Sequence, residues 1–205
     1  MSRYRGPIVR KSRRYGAILF GNGKSKENAY KKRKYAPGQH GRGGFRTLSE
    51  YGKQLFEKQK ARFMYGVTEK KFRKYYKKAD KMEGVTGKNL LRLLELRIDN
   101  VIYRSGLAVS RRQARQMVSH GHFEVNGRRV NVPSIEVQVG DEIKVRPKNQ
   151  KSPLYDEVKK TKKPLNPKWL DVDYGKLNVK VLALPEDDDL EMIIDSQAIV
   201  EFYSK

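Results

Sequence analysis

From Thr47 onward, apolar residues recur at the three- and four-residue intervals of an amphipathic α-helix. Thr47 and Glu50 have the spacing of a capping box, in which each side chain hydrogen-bonds the backbone of the other residue. Leu48 and Leu55 follow at helical spacing, and Gly66 is the residue type that most often follows the end of a helix. The pattern therefore predicts a helix that begins at Thr47 and ends before Gly66.

Two further helices are predicted downstream. Thr68 begins a segment in which Phe72, Tyr75 and Tyr76 share one helical face. We interpret this aromatic stripe as a buried core face, with stacking on nucleic-acid bases as the alternative. Apolar residues keep the same period between residues 89 and 104, which predicts one continuous third helix.

The next part of the chain, residues 95–150, has the pattern of a small α+β module. Ser110 and Gln113 have capping-box spacing and begin a short helix. The dipeptide Asn126-Gly127 has the composition of a two-residue β-hairpin turn, and residues 122–146 alternate between apolar and polar in several short runs. The module is therefore expected to contain two helices and a short antiparallel sheet.

The remaining segments complete an α+β architecture. Residues 1–46 show no helical period and are expected to form an extended basic N-terminal arm. A helical domain is expected over residues 47–94, completed by residues 186–205, with the α+β module inserted between them. Residues 151–185 begin as a connector rich in Lys and Pro and continue as two additional strands.

Charge adds a strong functional constraint to this pattern. The 205 residues include 46 Lys and Arg against 23 Asp and Glu, a formal net charge of +23. An excess of this size repels itself, and a polyanion such as RNA is the partner that relieves it. Residues 1–49 carry fourteen basic residues and one acid, whereas residues 186–205 carry one basic residue and seven acids. The two ends of the chain are therefore expected to face different partners.

Several classes of function are excluded or disfavoured. The chain has no cysteine, which excludes disulfides, thiolate zinc sites and cysteine nucleophiles, and no apolar run approaches the ~20 residues of a membrane-spanning helix. Residues 21–25 (GNGKS) lack the spacing of a phosphate-binding loop. His120 and His122 have no further ligand nearby, and residues 187–189 lack the spacing of a calcium loop. We expect no enzyme activity, cofactor, metal or small-molecule substrate.

The N-terminal composition bears on where the protein resides. Glu27 is the first acidic residue, as in some organelle transit peptides. Gly6, Pro7 and Gly16 interrupt the segment and disfavour an amphipathic helix, so we interpret it as a retained basic tail. The expected location is the cytoplasm, or an organelle that makes its own proteins.

Three arginines on the short helix of the module form a candidate phosphate-binding face. Arg111, Arg112 and Arg115 lie within one turn of each other, and an apolar stripe that includes Ala114 and Val118 forms the opposite side. We expect the arginines to project into solvent with no acid to pair them, where guanidinium groups suit bidentate phosphate binding. A solvated basic face is the alternative.

Segments spread over nearly the whole chain resemble one family, the bacterial-type ribosomal protein S-four, the fourth protein of the small subunit. The similar segments are 35–41 (YAPGQHG), 48–52 (LSEYG), 57–60 (EKQK), 64–66 (MYG), 112–115 (RQAR), 120–122 (HGH), 130–134 (VNVPS) and 199–204 (IVEFYS). The resemblance implies primary binding to small-subunit rRNA at a multi-helix junction early in assembly. It also implies roles in decoding accuracy and at the mRNA entrance channel.

The resemblance and the charge together indicate site residues. The RNA-binding candidates are Arg3, Arg13, Arg14, Lys34, Gln39, His40, Arg42, Arg46, Lys58, Arg62, Arg73, Arg111, Arg112, Arg115, His120, His122 and Arg128. The resemblance further implies that Arg42 and Arg46 contact mRNA, with rRNA phosphate as the alternative. Glu186, Asp187, Asp188 and Phe202 are expected to face a neighbouring protein, which the resemblance indicates is the fifth small-subunit protein.

Two features depart from the family, and two other classes of protein carry a similar module. Some members hold zinc with four N-terminal cysteines, which this chain lacks, and residues 186–189 are more acidic than the family pattern. Pseudouridine synthases place the module beside a catalytic domain, and heat-shock-type RNA-binding proteins would not explain the matches at 35–41 and 199–204. A structural rRNA-binding protein is therefore the favoured interpretation.

Overall fold

The protein folds into two compact units in a computed structural model. The first unit comprises Met1–Leu91 with Glu191–Lys205, and the second unit comprises Arg92–Leu190. The structure describes residues 4, 6–19, 24–43, 47–156, 158 and 167–204, except for the side chains of residues 24 and 25. Within these residues all of the β-strands lie in the second unit, and the α+β class predicted from the sequence is confirmed.

Eight α-helices and five β-strands are present in the described part of the chain. The helices are α1 (Ile8–Tyr15), α2 (Lys24–Lys32), α3 (Glu50–Met64), α4 (Glu69–Asp80), α5 (Thr86–Glu95), α6 (Ile98–Arg104), α7 (Arg111–Ser119) and α8 (Ser196–Tyr203). The strands are β1 (Phe123–Val125), β2 (Arg128–Val130), β3 (Glu142–Val145), β4 (Leu170–Asp173) and β5 (Asn178–Val181). Short 3₁₀ helices occur at Gly41–Gly43, Pro147–Asn149, Pro153–Tyr155 and Asp187–Asp189.

The structure corrects the expectation that residues 1–46 form an extended loop, because α1 and α2 lie within them. Pro7 and Gly16 flank α1 rather than prevent it: Pro7 precedes the first turn, and Gly16 follows the last turn with a left-handed φ of 62°. Ser12 is buried, and its Oγ accepts a hydrogen bond from the amide of Leu19 at 3.2 Å. The basic composition concealed a short helix that buries only a narrow face.

The next two helices follow the predicted pattern, with one difference at a boundary. Ser49, rather than Thr47, caps α3, because its Oγ accepts a hydrogen bond from the amide of Gly52 at 3.3 Å. In α4, Phe72 is fully buried and Tyr76 nearly so. The interpretation of the aromatic stripe as core is therefore confirmed.

The C-terminal helix α8 packs against α3 and α4 within the first unit. Tyr203 stacks on Tyr76 with ring centroids 4.7 Å apart. Phe202 packs on Tyr51 of α3, with centroids 5.6 Å apart. The first unit thus brings together helices from both ends of the chain.

The predicted third helix is interrupted, so residues 89–104 form two helices rather than one. Arg97, between α5 and α6, has extended backbone with ψ of 136°. On either side of it, the carbonyl of Leu96 accepts from the amide of Val137 and the amide of Ile98 donates to the carbonyl of Ile135, both at 2.9 Å. Pairing with this distant segment explains the break, which local periodicity could not indicate.

The second unit contains a five-stranded antiparallel sheet with strand order β2-β1-β3-β5-β4. The predicted turn Asn126-Gly127 joins β1 to β2, with positive φ at both residues as a primed turn requires. β4 and β5, expected in the segment 151–185, extend the same sheet as the module. The predicted alternation over 134–139 yields only an isolated bridge between Arg97 and Glu136.

One hydrophobic cluster joins α6 and α7 to the sheet. Val101 and Ala114 from the helices and Phe123, Ile143 and Val179 from the strands are all fully buried in it. Because α7 is fixed to this core along one side, its other side is held at a defined position. Among the described residues, no helix combines the length and apolar character needed to cross a membrane.

Candidate RNA-binding surfaces

The sequence of α7 specifies both its first turn and its buried face. The Oγ of Ser110 accepts from the amide of Gln113 at 3.3 Å, and the Oε1 of Gln113 accepts from the amide of Val109 at 2.8 Å. This reciprocal pair is the predicted capping box. The apolar stripe is buried as predicted, and Arg112 is exposed on the other side.

Arg111 and Arg115 are paired with acids, which corrects the expectation that they project freely into solvent. The Nε of Arg111 donates to the Oδ1 of Asn100 at 2.7 Å, and its Nη2 lies 3.8 Å from the Oε1 of Glu95. The Nη1 of Arg115 lies 3.9 Å from the Oδ2 of Asp99. Only 13% of each arginine side chain is exposed. The acids come from α5 and α6, so the short-range pattern of α7 gave no sign of them.

Two buried carboxylates organise a set of guanidinium groups around α6. The side chain of Glu95 is 0% exposed and accepts from Arg104 at 2.8 and 3.0 Å and from the Nδ2 of Asn100 at 2.6 Å. Asp99 accepts two hydrogen bonds from Arg97, at 3.0 and 2.6 Å. A buried carboxylate is tolerated only when it is paired and hydrogen-bonded in this way.

We call Arg97, Arg104, Arg111 and Arg115, with Glu95 and Asp99, the arginine cluster. Within it, four guanidinium groups lie beside two carboxylates. Sequence reasoning missed both acids as functional residues. The available signal was their position inside an apolar helical pattern, where an acid requires a partner.

The remaining candidates of the module, His120, His122 and Arg128, differ in exposure. His120 follows the end of α7 and is exposed, as is Arg128 on β2. His122 is turned towards Tyr155, with its Nδ1 3.3 Å from the hydroxyl oxygen. Burial lowers the pKa of His122, and the neighbouring His120 lowers it further. His122 therefore contributes a neutral imidazole to this region near neutral pH.

In the N-terminal region, Arg13 is used to hold the 35–41 loop. Its Nε donates to the carbonyl of Tyr35 at 2.9 Å, its Nη2 to the carbonyl of Ala36 at 3.3 Å, and its guanidinium lies 4.8 Å from the Tyr35 ring centroid. The other described candidates of this region are exposed: Arg14, Lys34, Gln39, His40 and Arg42. Arg3 and Arg46 lie outside the described residues.

Two of the three candidates on α3 and α4 are paired within the first unit. Lys58 and Arg62 both contact Glu69, at 3.0 and 3.3 Å, and the Lys58 side chain is only 6% exposed. Burial opposes ionisation of Glu69, but hydrogen bonds from Tyr203 and Lys58 outweigh it and lower the pKa of this carboxyl. Arg73 is exposed. Of these three bases, Arg73 is the most accessible to a partner.

The expected protein-binding residues divide between the two units. Glu186, Asp187 and Asp188 are exposed in the second unit, where residues 187–189 form a 3₁₀ turn closed by a capping box. Asp187 also pairs with Arg92 at 3.3 Å. Phe202 lies in the first unit, half-buried against α3. Within the described residues, no group of three or more His, Asp or Glu side chains is arranged to hold a metal.

Comparison with known proteins gives family matches to both the N-terminal region and the α+β module. The family description "Ribosomal protein S4/S9 N-terminal domain" matches residues 3–95, and "S4 domain" matches residues 96–143. The chain is similar to proteins named small ribosomal subunit protein uS4 from Cutibacterium acnes (52% identical), Heliobacterium modesticaldum (48%) and Solidesulfovibrio magneticus (51%). Each alignment covers 100% of both chains. The chain therefore belongs to the uS4 family of small-ribosomal-subunit proteins.

Proposed function

We propose that this chain is a structural protein of the small ribosomal subunit that binds rRNA directly and nucleates assembly, without catalytic activity of its own. Its relatives are named as proteins of the small ribosomal subunit, and the alignments with them cover their whole length. The observation that carries the proposal is the arginine cluster, in which buried carboxylates hold guanidinium groups on a protein with net charge +23.

The arrangement of the cluster suits a phosphate backbone. A guanidinium group presents a planar fork that matches phosphate oxygens, and a side chain already held in place loses less conformational freedom on binding. Arg104, Arg111 and Arg115 are held beside the carboxylates but keep part of their side chains exposed. Exposed Arg112 adds a further charge to the same helix. This combination favours a defined RNA contact over a diffuse coat.

The exposed bases of the N-terminal region support a second RNA contact. Arg13 shapes the 35–41 loop, and Arg42 lies 5.6 Å from the ring centroid of Tyr35 in that loop. We assign Arg42 and Arg46 to the mRNA entrance channel, with rRNA phosphate as the alternative. Alanine at both positions should slow translation through message hairpins more than through unstructured message, whereas equal slowing would favour the rRNA contact.

The acidic turn supports a contact with protein rather than RNA. Glu186 and Asp188 are exposed, and carboxylates are repelled by phosphate at close range. We assign this turn to a contact with the fifth small-subunit protein, through which it would influence decoding accuracy. The expected site of action is the ribosome.

Footprinting of small-subunit rRNA with this protein alone tests the central proposal. A primary binder should protect one multi-helix junction and retain that protection as the salt concentration rises. The Arg111→Ala/Arg115→Ala variant should lose protection there, while Lys144→Ala, which removes an exposed base from β3, should keep it. Diffuse protection that salt removes everywhere would instead identify a generic basic coat.

A further inference from the structure

The first unit contains an open cavity to which the proposed function assigns no ligand of its own. Its volume is about 810 Å³, within the range of small-ligand sites. Its wall comprises three bases, three aromatic side chains and a few apolar residues: Arg10, Lys11, Arg14, Tyr4, Tyr15, Phe56, Gly16, Ala36, Pro37 and Leu48. None of these described lining residues carries a carboxylate, so the cavity combines positive charge with apolar surface.

The bases of the cavity are concentrated on one side of α1. Arg10 and Arg14 are four residues apart and therefore lie on the same helical face, and both are exposed. The Nζ of Lys11 lies 4.4 Å from the ring centroid of Phe63 and 5.0 Å from that of Tyr4. Burial lowers the pKa of Lys11, and the positive charges of Arg14, Arg62 and Arg10 lower it further. An anion bound here would relieve the mutual repulsion of these bases.

The aromatic side of the cavity is fixed by packing. Tyr15 is buried, and its ring lies 4.8 Å from that of Phe56 and 5.9 Å from that of Phe63, measured between centroids. Leu48 is 41% exposed at the same cavity. A rigid aromatic and apolar wall beside a row of cations is the combination that binds unpaired nucleotides, since bases stack and phosphates pair with the cations.

We propose that this cavity holds one unstacked nucleotide, with its base against Tyr15, Phe56 and Leu48 and its phosphate at Arg10 and Arg14. The inference rests on the proposed rRNA binding, because an rRNA strand is the source we favour. A free nucleotide offers the same chemistry, and the experiment below separates the two sources.

Photo-crosslinking of the full-length chain tests the site directly. Tyr4→p-benzoylphenylalanine places a crosslinker at the cavity while retaining an aromatic side chain. Irradiation of its complex with small-subunit rRNA should yield one crosslinked nucleotide in an unpaired segment. Adding Arg10→Gln/Arg14→Gln should remove the crosslink and weaken rRNA binding about tenfold, which corresponds to ~1.4 kcal/mol.

Two further variants separate the cavity from general charge. Lys70→Gln/Lys74→Gln removes the same charge at the same spacing from the exposed face of α4, and this variant should keep the crosslink. Leu48→Trp keeps every base but places a much larger side chain on the cavity wall, and it should lose the crosslink while circular dichroism remains that of the parent. Loss of the crosslink in the Lys70/Lys74 variant as well would overturn the assignment to the cavity.

The source of the nucleotide is decided by a parallel titration with AMP. A crosslink to rRNA without saturable AMP binding identifies the RNA strand, whereas saturable AMP binding that Leu48→Trp abolishes, without an rRNA crosslink, identifies a free nucleotide. Absence of both overturns the inference. If the junction footprint persists in that case, the proposed function stands; if the footprint is also absent, the proposed function itself is wrong.

Discussion

Glu95 shows how a single buried acid can serve a basic protein. Its carboxylate lies between Arg104, at 2.8 Å, and Arg111, at 3.8 Å, with Asn100 hydrogen-bonded to it. Burying a charge is unfavourable by itself, but the guanidinium groups compensate for the lost water. Under the proposed function, Glu95 would act on RNA binding indirectly, by fixing the positions of the guanidinium groups of Arg104 and Arg111.

Replacing Glu95 should destabilise the second unit. Glu95→Gln leaves two guanidinium groups without their carboxylate, and breaking a buried pair in this way lowers the free energy of unfolding by about 3 kcal/mol. Urea denaturation measures the effect. Lys144→Gln removes a partner from the exposed pair with Glu142 and should leave the midpoint nearly unchanged. Equal midpoints for the two variants would show that Glu95 has no anchoring role.

Glu69 should make the stability of the first unit depend on pH. Its pKa is lower in the folded protein than its ordinary value of 4.5, so the unfolded chain binds more protons in this range. The stabilisation is present above that value and is lost as the pH falls through the folded pKa. From about pH 6 to about pH 3, the urea midpoint should fall more for the parent than for Glu69→Gln. Parallel pH profiles would contradict this account.

At the scale of single elements, α7 combines charges with different surroundings. Arg112 is exposed, whereas the side chain of Arg115 is only 13% exposed beside Asp99. Arg112→Ala should therefore reduce the slope of log affinity for rRNA against log salt by about 0.7–0.9, without changing the melting temperature. Binding measured across a potassium chloride series, with Lys176→Ala as the control, checks this. An unchanged slope would mean that this side of α7 does not meet the RNA.

The 35–41 loop depends on a glycine at its end. A Cβ added at Gly41 would collide with the backbone carbonyl of Ala36, whereas one added at Gly43 would meet nothing within 4 Å. Gly41→Ala should open the loop and weaken rRNA binding, and Gly43→Ala should change neither. Amide hydrogen exchange over residues 35–41 measures the opening. Equal protection from hydrogen exchange in both variants would show that the loop accommodates the added Cβ without opening.

The elements that periodicity predicted well are those that bury a complete face. The aromatic stripe of α4 and the apolar side of α7 both met this condition, and the Asn126-Gly127 turn carried its own local signal. α1 buries only Ser12 and Tyr15. Its basic residues therefore obscured the helical spacing of the few positions that it buries. The break at Arg97 and the acids beside α7 depend on partners distant in sequence, which no local pattern contains.

For the whole molecule, the separation of charge along the chain has a functional consequence. Basic residues dominate the N-terminal region, and the exposed acids Glu186 and Asp188 lie in the second unit. Charge reversal by Glu186→Lys/Asp188→Lys should alter the miscoding frequency of ribosomes that contain the variant, because it changes the proposed contact with the fifth small-subunit protein. The affinity for isolated rRNA should remain nearly intact. A comparable loss of rRNA affinity would place the turn on the RNA-binding surface instead.

The two outer strands of the sheet bear on how the protein behaves before it reaches a ribosome. β2 exposes Arg128 and Arg129, and β4 exposes Asp171 and Asp173. Short edges that carry charges resist pairing with the edges of other chains. Copies of the protein that are not bound to RNA are therefore expected to resist aggregation through these edges. An experiment that neutralises Arg128, a candidate RNA-binding residue, should therefore also monitor solubility, because the same substitution removes a charge from the edge of the sheet.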